Sequence, residues 1–578
     1  MDPTFFKNST TEKPALRIGL LLDSTTLSKF FAEIVDHIEQ SNFAKIELLI
    51  FNQEAIEQDA APPPRRSLLR KIIDTLRDAK SRRTIFFNLY QRWDVRNEEP
   101  STNPDTPADF AERLAHVTSM HVAPITKRFV HRLPDDAVAQ IREKKLDVLI
   151  RFGFNILRGD VLTAAKYGVW SYHHGDNDYY RGGPANFWEV LERNPMSGAI
   201  LQVLTEELDA GKVMCKGLFA TDVGFSHARN RVQPFWGSVT FMIQKLQELH
   251  MRGWEHVEKN MLPIAPYLGK KKIYSAPTNW EMFRWLVPLL AGKVVRRLVA
   301  QETIRHWRMA LRVGGPPIVT SASVPDLRGF QWIDSPKGRF YADPFVVEEN
   351  GKHWIFFEDF DYATKIGRIS CAEVRDGGLG PVLTALDRPY HLSYPCVFFD
   401  GGKWYMIPES AAAGTVELYR CSRFPDTWQL ERVLLRTPAV DSTIWIENGV
   451  YWLFVTLQES RGAAYQLWLF SAGTLGETWA AHPANPISTD VRYARGAGEI
   501  FRHEGRLFRP SQDCSGEYGR CTTINEIVVM DSERYVELPH AVIAPEQFEN
   551  LVGTHTYNRK GAVEVIDGKA HYPLHQVL

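Results

Sequence analysis

A unit of about 50 residues recurs five times in the second half of this 578-residue chain. Each copy opens with a short polar motif and continues as a strand, a glycine-containing turn and an aromatic strand. The copies are Tyr341-Ala-Asp-Pro-Phe…Gly351-Lys-His-Trp, Tyr394-Pro-Cys-Val…Gly402-Lys-Trp-Tyr, Asp441-Ser-Thr-Ile…Gly449-Val-Tyr-Trp, Gly498-Glu-Ile-Phe…Gly505-Arg-Leu-Phe and Thr554-His-Thr-Tyr…Gly568-Lys-Ala-His. A four-stranded unit of this kind buries its faces only against its neighbours. The repeat therefore predicts an all-β five-bladed propeller over residues 325–578.

The first part of the chain has the pattern of a parallel α/β sheet. An apolar run at Leu16–Leu22 precedes a helical period, a second apolar run follows at Ile46–Phe51, and the pattern resumes at Leu146. We predict a Rossmann-like α/β domain over residues 1–225 with an insertion at about 55–140. A helical linker over residues 226–324 then leads to the propeller.

The charge balance gives no general affinity for polyanions. The chain has 68 Lys+Arg against 69 Asp+Glu, so nucleic acid is not expected as a partner. Residues 1–15 are polar and no uncharged apolar run reaches the length of a bilayer span, which predicts a cytoplasmic protein. The six cysteines lack the paired spacing of a zinc site, and no metal is predicted.

A basic amphipathic stretch at residues 283–299 is open to two interpretations. Such a stretch suits a helix on a membrane surface. It suits a linker helix docked between two domains as well, and Pro288 within it favours the linker. The oligomeric state is left open.

Six short motifs follow one another between Leu146 and Val213. They are Phe152-Gly-Phe-Asn-Ile-Leu157, Gly168-Val-Trp-Ser-Tyr-His173, Tyr180-Arg-Gly-Gly-Pro184, Phe187-Trp188, Ser197-Gly198 and Leu208-Asp-Ala-Gly211. Their order resembles that of methionyl-tRNA formyltransferases and of the sugar N-formyltransferases related to them. The resemblance implies transfer of a formyl group from 10-formyltetrahydrofolate to an amine, and the propeller suggests an amino sugar or a glycan precursor as the acceptor.

The resemblance also assigns roles to individual residues. His173 falls on the catalytic histidine of the family and Asp209 on its catalytic aspartate. The third catalytic position is an asparagine in the family and Ser171 here, so a hydroxyl replaces the amide that polarises the formyl carbonyl. The folate is expected against the strand end formed by Phe152, Gly153, Phe154, Ile156 and Leu157.

The propeller carries candidate acids of its own. Asp343, Asp441 and Glu499 open their units, and the Ala-Asp-Pro motif resembles five-bladed glycoside hydrolases that act on arabinans and fructans. Convergent carboxylates suit glycan binding or hydrolysis, and a scaffold role for the propeller is the third interpretation. The alternative function is therefore a glycan-binding or glycan-modifying propeller protein with a degenerate formyltransferase domain.

Overall fold

The computed structural model describes residues 6–60, 77–110, 113–207, 211–222, 224–299, 303–315, 317–320, 325–458, 461 and 465–578. The chain falls into two compact units, whose border lies between Lys293 and Val294. The first unit is an α/β unit and the second is made almost wholly of strands.

The strands of the first unit are β1 Leu16–Leu22, β2 Thr26–Ser28, β3 Ala44–Asn52, β4 Pro107–Asp109, β5 Thr118–Val122, β6 Ile125–Lys127, β7 Val130–Arg132, β8 Val148–Arg151, β9 Ile156–Leu157, β10 Val169–His173, β11 Met196–Val203 and β12 Lys212–Ala220. Its described helices are Lys29–Glu39, Gln53–Ala60, Ala79–Arg83, Ile85–Asp94, Asp135–Glu143, Trp188–Glu192, His227–Ser238, Phe241–Arg252, Trp254–Lys259 and Asn279–Val299.

Seven of these strands form one sheet in the order β12-β11-β10-β8-β1-β3-β5. The five strands from β10 to β5 run parallel; β11 runs antiparallel to them, and β12 pairs antiparallel with β11. The run Leu16–Leu22 forms the central β1 because its apolar side chains are buried on both faces of the sheet. Since β5 extends this sheet, residues 118–122 of the predicted insertion belong to the main fold.

The strands of the second unit are β13 Thr303–Val313, β14 Gln331–Ile333, β15 Arg339–Glu349, β16 Lys352–Asp361, β17 Ile366–Arg375, β18 Gly378–Leu379, β19 Leu383–Leu386, β20 Ser393–Asp400, β21 Lys403–Glu409, β22 Val416–Arg423, β23 Thr427–Leu435, β24 Ala439–Glu447, β25 Val450–Gln458, β26 Tyr465–Ala472, β27 Ala480–Ala481, β28 Arg495–Gly496, β29 Phe501–His503, β30 Arg506–Asp513, β31 Cys521–Met530, β32 Tyr535–Ile543, β33 Leu551–Gly553, β34 Tyr557–Lys560 and β35 Val563–Pro573. A short helix, Leu574–Val577, ends the chain.

Five antiparallel sheets follow one another in this unit: β15 to β19, β20 to β23, β24 to β27, β28 to β32, and a last sheet that combines β13 and β14 with β33 to β35. The first strands of successive sheets contact one another, from β34 to β15, β20, β24 and β28. A hydrogen bond of 2.8 Å from the Tyr557 N–H to the Ala497 carbonyl closes this ring. The predicted all-β propeller is confirmed, and its five sheets are the blades.

The fifth blade differs from its prediction in two ways. Its turn lies at Gly561, because β35 runs without a break through Gly568. Its outer strand β13 comes from the predicted helical linker and pairs with β35 along its whole length, from Thr303 to Val313. The last blade therefore combines β13, from the start of the propeller unit, with β35, from its end. This pairing covers a strand edge that β35 would otherwise expose.

Candidate functional site

The inner strands of the first three blades have the same irregularity. Asp343, Tyr394 and Asp441 have φ of +50°, +45° and +49°. Each lies where the pairing register of its strand shifts. L-residues with side chains of this size seldom adopt positive φ, and such positions concentrate at functional sites. The structure thus places the predicted Asp343 and Asp441 at equivalent positions of two blades.

The second strands of the blades supply further acids. Glu358 lies opposite Ala342 and Glu409 opposite Ser393, at the same register of blades one and two. In the last blade Asp567 on β35 is fully buried next to Thr556. These acids and those of the inner strands therefore converge at the centre of the ring, and burial there raises the pKa values of Asp343, Glu358 and Glu409.

His555 lies between two of these carboxylates. Its Nδ1 is 2.6 Å from Asp567 and its Nε2 is 3.6 Å from Asp343. Asp343 also accepts the hydroxyl hydrogen of Thr556 at 2.9 Å. Burial lowers the pKa of His555, but the carboxylates of Asp567 and Asp343 outweigh it and hold the pKa above 6.5. The imidazole is thus stabilised in its charged form.

A second cationic side chain, Arg495, lies beside two of the remaining acids, Asp441 and Glu409. Its Nε donates to Asp441 at 2.5 Å, and its Nη2 lies 3.9 Å from Glu409. Gln512 donates to the same Asp441 oxygen at 3.3 Å. We call Asp343, Glu358, Glu409, Asp441, Arg495, His555 and Asp567 the axial cluster; its five acids outnumber its two cationic groups.

The carboxyl groups of the axial cluster differ in acidity. Burial, reinforced by Asp441, raises the pKa of Glu409 to about 8, although Arg495 opposes the shift. Burial raises the pKa of Asp343 to about 6, with His555 opposing and Asp567 and Asp441 adding to it. Near neutral pH Glu409 is therefore mainly protonated and Asp343 mainly ionised, so that one can give a proton while the other accepts one.

Two aromatic rings border the cluster. The Trp307 ring stacks on His555 with 3.8 Å between centroids. The Tyr518 ring lies 5.6 Å from His555 and 4.8 Å from the guanidinium of Arg495, and this side chain is 43% exposed. Exposed ring surface beside polar groups suits the stacking of a sugar.

Three ligand atoms of Asp343, His555 and Asp567 lie within 4.8 Å of one another, which is close enough to hold a metal ion. A histidine ligand must be neutral, however. A metal ion at this place would have to displace the proton that the two carboxylates hold on His555.

Glu499, the third predicted acid of the propeller, lies apart from this network. Its backbone N–H donates to Asn558 at 2.6 Å. Burial raises the pKa of the half-buried carboxyl to about 7, and Lys560 opposes that shift. Among the described hydrogen bonds and ion pairs, none joins Glu499 to Asp343 or Asp441.

In the α/β unit His173 and Ser171 lie on β10. The Nε2 of His173 is 2.9 Å from the carbonyl oxygen of Tyr180. Ser171 is fully buried, and its hydroxyl accepts from Arg151 Nε at 2.9 Å and lies 3.2 Å from the Tyr172 carbonyl. Asp209 lies outside the described residues.

At the strand end that was predicted to hold the folate, several backbone N–H groups form hydrogen bonds within the α/β unit. The N–H groups of Phe152 and Gly153 both donate to the Leu21 carbonyl, at 3.0 and 2.7 Å. The N–H of Phe154 donates to Asp23 at 2.8 Å. The side chain of Ile156 is half-buried and that of Leu157 is buried in the core. These backbone groups hold the loop to β1.

Comparison with known proteins assigns the similarity to the propeller. The N-terminal family of glucosamine inositolphosphorylceramide transferase 1 matches residues 285–562. Glucosamine inositolphosphorylceramide transferase 1 of Arabidopsis thaliana is 36% identical over 279 residues, which is 46% of this chain and 35% of that protein. The counterpart of Oryza sativa subsp. japonica is 38% identical over 211 residues, 35% of this chain and 28% of that protein. The chain thus spans about a third of the length of these relatives.

Among solved structures, the catalytic domain of a Coprinopsis cinerea GH62 alpha-L-arabinofuranosidase is 12% identical and covers 45% of this chain and 97% of its own, with a TM-score of 0.33. Glycinamide ribonucleotide transformylase 1 of Symbiobacterium toebii is 15% identical and covers 46% of this chain and 93% of its own, with a TM-score of 0.26. Sequence identities and TM-scores this low do not indicate a shared function.

The prediction of a folate-dependent formyltransferase is wrong. The relatives are named for a different transferase, one of glucosamine and inositolphosphorylceramide. Three predictions that depended on it are wrong as well: the formyltransferase class, the cosubstrate 10-formyltetrahydrofolate, and folate with an amine acceptor as partners. In the structure, Ser171 and the backbone of residues 152–154 have hydrogen-bond partners within the fold.

Proposed function

We propose that the propeller binds a sugar of the glucosamine type at the axial cluster and serves in the transfer of a glycosyl group. The observation that carries the proposal is the excess of buried acids over cations at the centre of the ring, next to half-exposed aromatic rings. The ammonium group of an amino sugar compensates this excess, and the apolar face of the sugar ring stacks on Tyr518. The amine serves recognition and is not the reacting atom.

The acidities support a division of labour within the cluster. Glycosyl transfer needs an acid that protonates the departing oxygen and a base that accepts the proton of the incoming hydroxyl. Glu409, whose pKa is raised to about 8 by burial and by Asp441, is the proposed acid. Asp343, whose pKa is raised only to about 6, mainly by burial, is the proposed base. Arg495 and His555 orient the neighbouring carboxylates.

The names of the relatives give independent support for the substrate class. They combine glucosamine with inositolphosphorylceramide, and the family model that matches this chain covers residues 285–562, which include most of the propeller. Because the chain spans about a third of those proteins, the proposal is confined to what the axial cluster binds and to the proton transfers its side chains can perform.

Charge selectivity tests this proposal. Calorimetric titration of the full chain at neutral pH would compare methyl glucosaminide with methyl N-acetylglucosaminide and methyl glucoside, which have the same ring without the charge. We expect the glucosaminide to bind at least about tenfold more tightly, since a charge-assisted hydrogen bond contributes about 1.5–3 kcal/mol. Equal affinity for the three sugars, or no binding of any, would contradict the proposal.

A further inference from the structure

The helix Asn279–Val299 has two apolar faces. One face packs inside the α/β unit, where Met282 and Trp285 are buried together with parts of Leu286 and Leu289. The other face carries large apolar side chains that remain exposed, namely Trp280, Phe283, Val287 and Leu290. Their spacing of three and four residues places them in one stripe along the helix. Packing within the unit therefore accounts for one face only.

A second helix, Ile85–Asp94, repeats this arrangement. Phe87 and Tyr90 are buried, while Phe86, Leu89 and Trp93 are exposed. The two helices are held together, because Asn279 accepts a hydrogen bond from the Phe86 N–H at 3.0 Å and the rings of Tyr90 and Trp285 lie 5.2 Å apart. We call the seven exposed side chains of the two helices the apolar patch.

The exposed charged side chains described on these helices are cationic. Arg92 lies on the first helix, and Arg284 and Lys293 lie on the second; all three are exposed. The preceding helix adds Arg82 and Arg83, and the Arg82 carbonyl accepts from Asn279 at 2.7 Å. The acids of these helices are occupied: Asp94 is buried and accepts the Ala228 N–H at 2.7 Å, and Glu281 pairs with Lys271 at 2.5 Å.

We infer that the apolar patch docks on a lipid bilayer surface that carries anionic headgroups. Large aromatic and aliphatic side chains bordered by Arg and Lys are the composition of an interfacial helix, whose apolar face enters the acyl boundary while its cations contact phosphates. The helix is continuous through Pro288, so the stripe is not interrupted there. In the described part of the chain no helix is long and apolar enough to cross a membrane. We therefore expect the two helices of the apolar patch to lie on the bilayer surface.

Vesicle flotation of the full chain tests this inference. The probes are phosphatidylcholine vesicles with and without phosphatidylinositol. We expect the chain to float with the anionic vesicles, and the fraction bound to fall when salt is raised. The double variant Trp280→Ser/Phe283→Ser should lower partitioning at least tenfold. The matched control is Leu430→Ser/Leu538→Ser, which removes two exposed leucines from propeller strands and should leave partitioning unchanged.

A second variant keeps the test decisive if the first one folds poorly. Arg284→Gln/Lys293→Gln removes two exposed charges without touching the buried face, and it should weaken binding to anionic vesicles only. No flotation of the wild type with either vesicle would overturn the inference, as would equal flotation of all variants. Sedimentation that shows a dimer dispersed by Trp280→Ser/Phe283→Ser, without vesicle binding, would assign the patch to a second copy and overturn it too.

Discussion

The Nδ1 atom of His555 lies 2.6 Å from a carboxylate oxygen of Asp567, and both side chains are buried. The same carboxylate accepts the backbone N–H groups of His555, Thr556 and Asp343, at 3.1, 2.9 and 3.0 Å. Since Asp343 belongs to the first blade and Asp567 to the last, this one side chain joins the two blades that close the ring.

Removing the imidazole should destabilise the propeller strongly. His555→Gln leaves the Asp567 charge without its cation, and breaking a buried pair in this way costs about 3–5 kcal/mol. Urea unfolding at neutral pH measures the loss. The control is His353→Gln, because His353 lies 3.7 Å from a half-exposed Glu348 and should change stability by less than about 1 kcal/mol. Equal effects of the two variants would contradict the assigned pair.

The same pair makes stability depend on pH. The pKa of His555 is raised above 6.5 because the carboxylates outweigh burial. The folded protein therefore retains a proton that the unfolded chain releases, so this contribution is complete below 6.5 and is lost as pH rises through the folded pKa. We expect the free energy of unfolding of the wild type to fall over that window more steeply than that of His555→Gln. Parallel pH profiles would contradict the protonated imidazole.

In the α/β unit, Glu189 should make the fold less stable as the pH rises from acidic to neutral values. Burial raises its pKa from 4.5 to about 8, so the folded state holds a proton that the unfolded state has lost. Stability therefore falls as pH rises from 4.5 to 8. Glu189→Gln has no carboxyl that titrates. Its free energy of unfolding, relative to that of the wild type, should therefore rise by up to a few kcal/mol over this range. A thermal unfolding series from pH 5 to about 8.5 measures the difference; a constant offset would contradict the raised pKa.

The hydroxyl of Ser171 should stabilise the folded α/β unit. Its hydroxyl accepts from Arg151 inside the sheet, and loss of a buried acceptor costs about 1–3 kcal/mol. Ser171→Ala should lower the denaturant midpoint accordingly, whereas Ser81→Ala, whose hydroxyl lies at a solvent-facing helix, should have little effect. A Ser171→Ala protein as stable as the wild type would show that this contact contributes nothing.

The sequence predicted the architecture of the propeller because its period is set by local strands and turns. Blade-opening Asp343 and Asp441 were found in the same way, since each opens its copy of the repeat. Glu358 and Glu409 were missed although they follow the turn glycines Gly351 and Gly402 by the same number of residues. Aligning the units on these glycines would have found them.

Other features depend on contacts between distant residues. The strand β13 was taken for helix because its partner β35 lies at the other end of the unit, and only that pairing makes it a strand. Asp567 and Arg495 have no local signal, since their partners lie on other blades or across a hairpin. The order of motifs between residues 152 and 211 predicted a function, but it could not tell that Ser171 and the backbone near Phe154 already have partners.

The central claim is that the axial cluster is where an amino sugar binds. The most direct test is calorimetric titration of methyl glucosaminide into Asp343→Asn/Glu409→Gln, with Glu431→Gln as the matched control on the outer strand β23, where Glu431 pairs with Arg420 at the surface. The account predicts that the axial variant binds at least about tenfold more weakly than the wild type, while the control binds normally and all three proteins unfold cooperatively. An axial variant that is folded and retains wild-type affinity would contradict it.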